Sequence, residues 1–95
     1  MNKKPQPLGQ ALRQLVHDLG IDKSLGEFEI ITSWNAIVGE QIGRISSALR
    51  MENGVLFVSV ATAPWRAELS LRRLEIIEKI NRHAGRKIVK DIRFR

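Results

Sequence analysis

The chain has 95 residues, of which 43% are hydrophobic and 27% charged, and it contains no cysteine. This length and balance are typical of one folded globular domain, and they exclude a disulfide framework or a thiolate metal site. Sixteen Lys and Arg residues against ten Asp and Glu residues give a net charge of +6, which favours an anionic partner. No apolar run approaches the roughly 18 residues of a membrane span, and no apolar stretch follows the basic start as in a secretion signal. We therefore expect a cytoplasmic protein without a membrane partner.

The amino-terminal end is predicted to be a short arm followed by a helix. Residues 1–7 contain two prolines that block regular hydrogen bonding, so we expect them to form a flexible basic arm, and residues 8–95 to form the domain. Apolar side chains repeat every three or four residues over 8–19, which predicts the first helix, and Gly20 stands where a helix-ending glycine is expected.

A second helix is predicted to begin at Ser24, which forms a capping-box pattern with Glu27. Its predicted apolar stripe consists of Phe28, Ile31, Trp34, Val38 and Ile42, widened by Ile30 and Ile37. Gly39 and Gly43 are expected to weaken the end of this helix or to allow a close helix contact.

The hydrophobic pattern changes to strict alternation on both sides of Asn53-Gly54. An Asn-Gly pair between alternating runs is a strong β-hairpin signal, because both residues tolerate the positive φ angles of a type I′ turn. A two-residue turn also fixes the register of the strands. The predicted core-side pairs are Met51–Leu56, Leu49–Val58 and Ser47–Val60. The predicted pairs on the other side are Arg50–Phe57 and Ala48–Ser59.

A third helix is predicted to begin at Thr62 or Ala63, with Pro64 in its first turn, and to end before Gly85. Its apolar arc carries Trp65, Leu69, Ile76, Ile77 and Ile80. Its opposite arc carries three acid-first pairs one turn apart, which cancel the charge of that face: Glu68–Arg72, Glu75–Lys79 and Glu78–Arg82. A last strand is predicted over 88–94. The order α-α-β-β-α-β predicts a single α+β domain in which helices cover one face of a three-stranded sheet.

Positive charge is concentrated in the second half of the chain, since residues 51–95 carry a net +5 and residues 1–50 a net +1. Arg50 opposite Phe57, near arginines of the last strand, would form a basic face with an aromatic ring, a combination that binds single-stranded nucleic acid. The alternative is an exposed cation–π pair on an ordinary solvated sheet.

Two arginines of the third helix, Arg66 and Arg73, fall inside or beside its apolar arc. They either run along the core with their charged heads in water or against a carboxylate, or line a groove that binds phosphates or an acidic partner. The full set of candidate nucleic-acid-binding residues, which we expect to form one continuous basic patch, is Arg50, Phe57, Arg66, Arg73, Arg86, Lys87, Lys90, Arg93 and Arg95.

Catalytic motifs are absent from the sequence, so we expect no enzyme, cofactor or small-molecule substrate. His17 and His83 lie on different predicted helices without an acidic cluster nearby, and no phosphate-binding lysine loop is present. Trp34 and Trp65 are expected in the core. Alternatively, together with Leu71 on the polar arc, they contact a protein partner, a role in which tryptophan is enriched.

Four segments together resemble the DciA-like family: residues 34–39 (WNAIVG), 53–58 (NGVLFV), 65–69 (WRAEL) and 89–95 (VKDIRFR). The resemblance covers residues 8–95. It implies a bacterial KH-like domain, nucleic-acid binding and association with the replicative DNA helicase, which DciA proteins help to load. The chain ends at its last strand, whereas many members carry a long C-terminal extension. It also lacks the GxxG loop of true KH domains, so KH-type clamping of nucleotides is not expected.

Charge and resemblance together predict a non-enzymatic adaptor that binds single-stranded or duplex DNA through phosphates, without sequence preference, and associates with the replicative helicase. Two alternatives stay open: a protein-interaction module that binds no nucleic acid, and a KH-like protein that binds RNA.

Overall fold

The computed structural model describes residues 6–18 and 22–95. The helices are α1 Gln6–Asp18, α2 Asp22–Thr32, α3 Trp34–Val38, α4 Glu40–Ile45, α5 Ala63–Leu71 and α6 Arg73–Ala84, and the strands are β1 Ser46–Glu52, β2 Val55–Val60 and β3 Asp91–Phe94. The predicted order α-α-β-β-α-β is confirmed, with the second predicted helix divided into α2, α3 and α4 and the third into α5 and α6. Most of the predicted arm and Gly20 lie outside the described residues, and those predictions stay untested.

Both long predicted helices are interrupted. The second breaks at Ser33 and again at Gly39, whose φ of 94° suits a glycine, and the third breaks at Arg72. The predicted capping box is wrong, because α2 begins at Asp22 and Ser24 therefore lies inside it. The predicted stripe nevertheless enters the core across these breaks, since Trp34, Val38 and Ile42 are buried and Ile31 packs against them.

Phe28 is the one residue of the predicted stripe that lies outside the core. Phe28 is exposed and Ile30 is buried, so the prediction for Phe28 is wrong. In α1, the predicted apolar residues Leu12 and Leu15 are also exposed. In contrast, the predicted arc of α5 and α6 is confirmed, since Leu69, Ile76 and Ile80 are buried and Trp65 and Ile77 pack against the core.

The sheet has the order β1-β2-β3, in which β1 and β2 are antiparallel and β3 runs parallel to β2. Asn53 and Gly54 have φ angles of 52° and 83°, as the predicted type I′ turn requires. The pairs next to the turn, Met51–Leu56 and Arg50–Phe57, are confirmed.

Beyond those pairs the predicted register is wrong by one residue, because β1 has a bulge between Ala48 and Arg50. Leu49 is consequently exposed, and Ala48 faces Val58 on the core side. Ser46 takes the core position opposite Val60 that was predicted for Ser47. One extra residue therefore exchanges the two faces of the strand.

Helices α2, α4, α5 and α6 contact the sheet, and the core lies between them and one of its faces. Trp34 is central to this core: it is 3% exposed, and its indole Nε1–H donates to Ser46 Oγ at 2.9 Å. The Ser46 hydroxyl in turn donates to the carbonyl of Ile42 at 2.6 Å, which satisfies both buried polar groups. None of the helices in the described ranges has the length and apolar composition needed to cross a membrane.

The segment between α6 and β3 is irregular, so the last strand begins at Asp91 and not at residue 88 as predicted. Ile88 and Val89 are both buried, a pattern that differs from the alternation of a strand. Gly85 ends α6 as predicted, with a left-handed φ of 77°.

Candidate nucleic-acid interface

Four predicted residues meet on the sheet face opposite the core, and we call them the sheet-face patch: Arg50, Phe57, Arg93 and Arg95. Phe57 lies on the central strand, with Arg50 and Arg93 as its register partners on either side. The guanidinium carbon of Arg50 lies 4.2 Å from the centre of the Phe57 ring, and that of Arg95 lies 5.1 Å from it. The predicted proximity of Arg93 and Phe57 is confirmed.

The Phe57 ring, a predicted stacking surface, is largely covered in this structure, and base stacking on it stays a prediction. The guanidinium groups of Arg50 and Arg95 cover the ring, which leaves Phe57 only 9% exposed. The cation–π contact instead holds these guanidinium groups at the surface, where they can contact phosphates or stack on bases themselves.

An acidic row borders the sheet-face patch toward the hairpin turn. Glu52 on β1 and Asp91 on β3 are the register partners of Val55 on β2. Val55 lies two residues before Phe57, so this row is next to the row of Phe57 on the same face of the sheet. Arg50 Nε lies 2.6 Å from a carboxylate oxygen of Glu52, and Arg93 Nε lies 3.5 Å from one of Asp91. Within the described residues, Arg95 has no carboxylate partner. The two carboxylates thus reduce the positive potential at one end of the patch.

The two arginines of the third predicted helix for which two roles were considered both contact groups of the protein itself. Arg66 is half-buried, and its Nη1 donates to the carbonyl of Val60 at 3.3 Å. Arg73 Nε is buried and lies 3.8 Å from Asp91 Oδ1, whereas Arg93 approaches the other oxygen of this carboxylate. These contacts correspond to the structural alternative, so neither arginine belongs to the sheet-face patch.

The remaining predicted cations line a cleft of about 390 Å³ beyond the turn end of the sheet. We call it the basic cleft. Its lining residues are Lys23, Asn53, Gly54, Arg86, Lys87, Ile88 and Lys90. The four cations come from α2 and from the α6–β3 segment, and the described lining includes no carboxylate. Lys23, Lys87 and Lys90 form no ion pair within the described part of the chain.

Asn81 fixes the α6–β3 segment that carries three of these cations. Its side-chain oxygen accepts from the N–H groups of Ile88 and Val89 at 3.0 and 2.9 Å, and its amide nitrogen donates to the carbonyl of Val89 at 3.0 Å. The buried side chains of Ile88 and Val89 add apolar anchors. The basic segment is therefore held rigidly although it is neither helix nor strand.

The hairpin turn forms the other wall of the cleft. The carbonyl of Gly54 accepts from the N–H of Lys90 at 2.7 Å and from that of Asp91 at 3.3 Å. A methyl group at Gly54 would lie 3.0 Å from Lys90 Cδ, so the Lys90 side chain runs directly over this glycine. The turn thereby sets the position of Lys90.

Arg86 lies where α2 passes close to the α6–β3 segment. A methyl group at Gly26 would lie 2.6 Å from Arg86 Nη2 and 2.9 Å from Ile88 Cδ1. The absence of a side chain at Gly26 therefore leaves the space that the Arg86 guanidinium occupies.

The predicted cations thus do not form one continuous patch. The acidic row of Glu52 and Asp91 lies between the sheet-face patch and the basic cleft. Sequence reasoning missed Lys23, which is isolated in the sequence, and Asn81, whose position in a helix gives no signal of a loop contact. In the described residues, no group of three His, Asp or Glu side chains converges as metal ligands would.

The predicted partner contacts divide between core and surface. Trp34 is a core residue, and the prediction that it contacts a partner is wrong because the sheet and helices cover it. Trp65 is half-buried and borders a shallow pocket with Pro64 and Arg72. Nearby in sequence, Leu71 and Leu74 at the α5–α6 junction are 85% and 80% exposed.

Comparison with known proteins gives one family and several relatives. A family model described as "Dna[CI] antecedent, DciA" matches residues 7–94. Proteins named UPF0232 from Mycobacterium bovis and Mycobacterium tuberculosis are 29% identical over 97% of this chain, and one from Mycobacterium ulcerans is 26% identical. The chain spans about half the length of these relatives, 49% in each case.

Proposed function

Because this chain belongs to the DciA family, we propose that it is a non-enzymatic, cytoplasmic adaptor of DNA replication that binds nucleic acid and associates with the replicative helicase. It binds DNA through phosphates and without sequence preference, because its candidate contacts are mostly cations and phosphate contacts carry no sequence information.

The observation that carries this proposal is the difference between paired and unpaired cations. Arg44 and Arg72 have glutamate partners one helical turn away, at 2.7 Å for Arg44–Glu40 and 2.8 Å for Arg72–Glu68. Lys87, Lys90 and Arg95 have no such partner in the described ranges. Unpaired cations on a molecule of net charge +6 give it a field that attracts polyanions.

The deciding experiment is a salt-titrated fluorescence anisotropy assay with single-stranded DNA, duplex DNA and RNA of equal length. If about five phosphate contacts form, log K for the single strand falls with log salt at a slope near −3.5. Affinity that stays constant between about 50 and 200 mM salt contradicts the proposal. RNA binding stronger than DNA binding would assign the protein to RNA instead.

The contribution of the sheet-face patch is tested by the double variant Arg93→Ala, Arg95→Ala. We expect it to weaken binding by a similar factor for unrelated DNA sequences, because phosphate contacts carry no sequence information. The matched control, Arg44→Ala with Arg82→Ala, removes the same charge from arginines paired with glutamates. A loss as large in the control as in the patch variant would mean that only net charge matters.

A second candidate function is a protein-interaction module, which the exposure of Leu71 and Leu74 favours. Large apolar side chains that are mostly exposed and close in sequence favour a contact surface when they form one patch. If this is the main function, replacing both leucines with serine abolishes capture of the helicase after nuclease treatment, and no nucleic acid binds at any salt concentration.

A further inference from the structure

We propose that the basic cleft is a phosphate-binding site that takes backbone phosphates of a nucleic-acid strand, separately from the sheet-face patch. This inference rests on the proposed function and assigns the strand to a specific place on the molecule. Three properties of the cleft support it: its charge, its rigidity and the chemistry of its walls.

The charge of the cleft is unbalanced in a way that favours an anion. Lys23, Lys87 and Lys90 come from two separate segments, and none forms an ion pair in the described part of the chain. Like charges brought together by folding repel one another, and a bound phosphate removes this repulsion while gaining charge-assisted hydrogen bonds.

The cleft is also held in place before any ligand binds. The three hydrogen bonds of Asn81 fix the backbone next to Lys87, and the Gly54 carbonyl fixes the backbone of Lys90. Ordering a loop on binding would reduce affinity, so a segment that is already fixed retains more of the contact energy.

The walls select a backbone phosphate over a free nucleotide. Among the described lining residues Ile88 is the only large apolar side chain, and it is 8% exposed. Nucleobases bind by stacking on aromatic or apolar surface, and none of the described lining side chains is aromatic. A site with cations and no stacking surface recognises the phosphate and leaves the base outside.

The first test is an NMR titration of the ¹⁵N-labelled full chain at about 50 mM salt with oligo(dT), ATP or pyrophosphate. We expect oligo(dT) to shift the amide signals of Gly54, Lys87 and Lys90. These shifts should reach saturation at a lower concentration of oligo(dT) than of ATP or pyrophosphate. Pyrophosphate should shift the same signals more weakly. Saturation by ATP at a lower concentration than by oligo(dT) would overturn the assignment to a strand and indicate a nucleotide site.

The second test compares oligo(dT) affinity in Lys87→Ala, Lys90→Ala with that in the control Arg44→Ala, Arg82→Ala. At about tenfold for each lost phosphate contact, the lysine variant should bind about a hundredfold more weakly at low salt, and the control less than about twofold more weakly. Lys23→Ala, on a different segment, should give a smaller loss. All replaced side chains are exposed, and thermal melting checks that each variant folds.

Failure of the cleft and failure of the proposed function give different results. If the wild-type chain binds oligo(dT) and the Lys87, Lys90 variant binds like the control, the cleft is not the site, while nucleic-acid binding stands. If the wild-type chain binds no nucleic acid, the proposed function fails, and the cleft assignment fails with it.

Discussion

The paired arginines of the helix surfaces and the lysines of the basic cleft are arranged in opposite ways. On the helix surfaces, three arginines lie one turn from a glutamate partner: Arg44–Glu40, Arg72–Glu68 and Arg82–Glu78. In the cleft, Lys23, Lys87 and Lys90 converge from two distant segments, and none of these three lysines forms an ion pair in the described part of the chain. The difference teaches that pairing, more than the number of cations, separates a solvated surface from a candidate binding surface.

The largest expected effect comes from removing the Asn81 side chain, whose hydrogen bonds act as a clamp on the basic segment beside the cleft. Asn81→Ala removes three hydrogen bonds to the α6–β3 segment. At about 1 kcal/mol each, their loss should lower the free energy of unfolding by about 3 kcal/mol, measured by urea denaturation. Hydrogen exchange at the N–H groups of Ile88 and Val89 should accelerate, because both lose their acceptor.

Gln41→Ala is the control for this prediction, because the Gln41 amide is exposed and makes no hydrogen bond in the described part of the chain. Its unfolding free energy should change by less than about 0.5 kcal/mol. If Asn81→Ala is equally mild, the clamp does not hold the basic segment.

The second-largest effect is expected when the cations of the cleft are given a carboxylate partner, like the arginines on the helix surfaces. Asn53→Asp places a carboxylate on the cleft wall without disturbing the turn, because Asp-Gly also suits a type I′ turn. We expect affinity for oligo(dT) to fall about tenfold at low salt, as for loss of one phosphate contact, while thermal stability is kept.

The control for Asn53→Asp is the same substitution at Asn35, an exposed residue that does not line the cleft. Both variants have the same net charge. Equal losses of affinity in the two variants would show that the cleft has no special role.

A smaller effect comes from a neutral change beside Arg86. The methyl group of Gly26→Ala would displace the Arg86 guanidinium and press on Ile88. The crowding costs about 1–3 kcal/mol, and the better helix propensity of alanine returns about 1 kcal/mol. Affinity for oligo(dT) should fall by about threefold, which is less than for the loss of one whole phosphate contact, and the net charge is unchanged.

Gly9→Ala is the matched control for this variant, because a methyl group at Gly9 meets no atom within 4 Å. Anisotropy titrations of the two variants compare them directly. Unchanged affinity in Gly26→Ala would exclude Arg86 from the contact surface.

The smallest effect belongs to the paired helix surface. Glu78→Gln removes the partner of Arg82, which lies 3.7 Å away on an exposed face. Unfolding free energy should fall by only about 0.2–0.5 kcal/mol, and affinity for oligo(dT) should change by less than about twofold. An increase of about tenfold or more would place this helix surface in the interface after all.

The sequence predicted those parts of the fold that depend on local chemistry. The Asn53-Gly54 turn, the Gly85 helix end and the pair Arg50–Phe57 are as expected, because each follows from residues close to it. Features that depend on residues far apart in the sequence could not be predicted from it. The bulge at Leu49 is one, and it reversed the faces of the outer part of β1.

The same limit applies to the candidate site. The local pairs Glu68–Arg72 and Glu78–Arg82 were predictable from their spacing, although Glu75 and Lys79 form no ion pair in the described ranges. The basic cleft was not predictable, since only the folded chain brings Lys23 to the α6–β3 segment. Hydrophobic periodicity places Asn81 on the third predicted helix. It gives no information on the hydrogen bonds between the Asn81 side chain and the segment that follows this helix.

The most direct measurement of the central claim is the salt dependence of oligo(dT) binding in three proteins: the wild-type chain, the Lys87→Ala, Lys90→Ala variant and the Arg44→Ala, Arg82→Ala variant. Each lost phosphate contact reduces the slope of log K against log salt by about 0.7 for a single strand. The account predicts a slope shallower by about 1.4 for the lysine variant and an unchanged slope for the arginine variant. Equal slopes in all three proteins would contradict it.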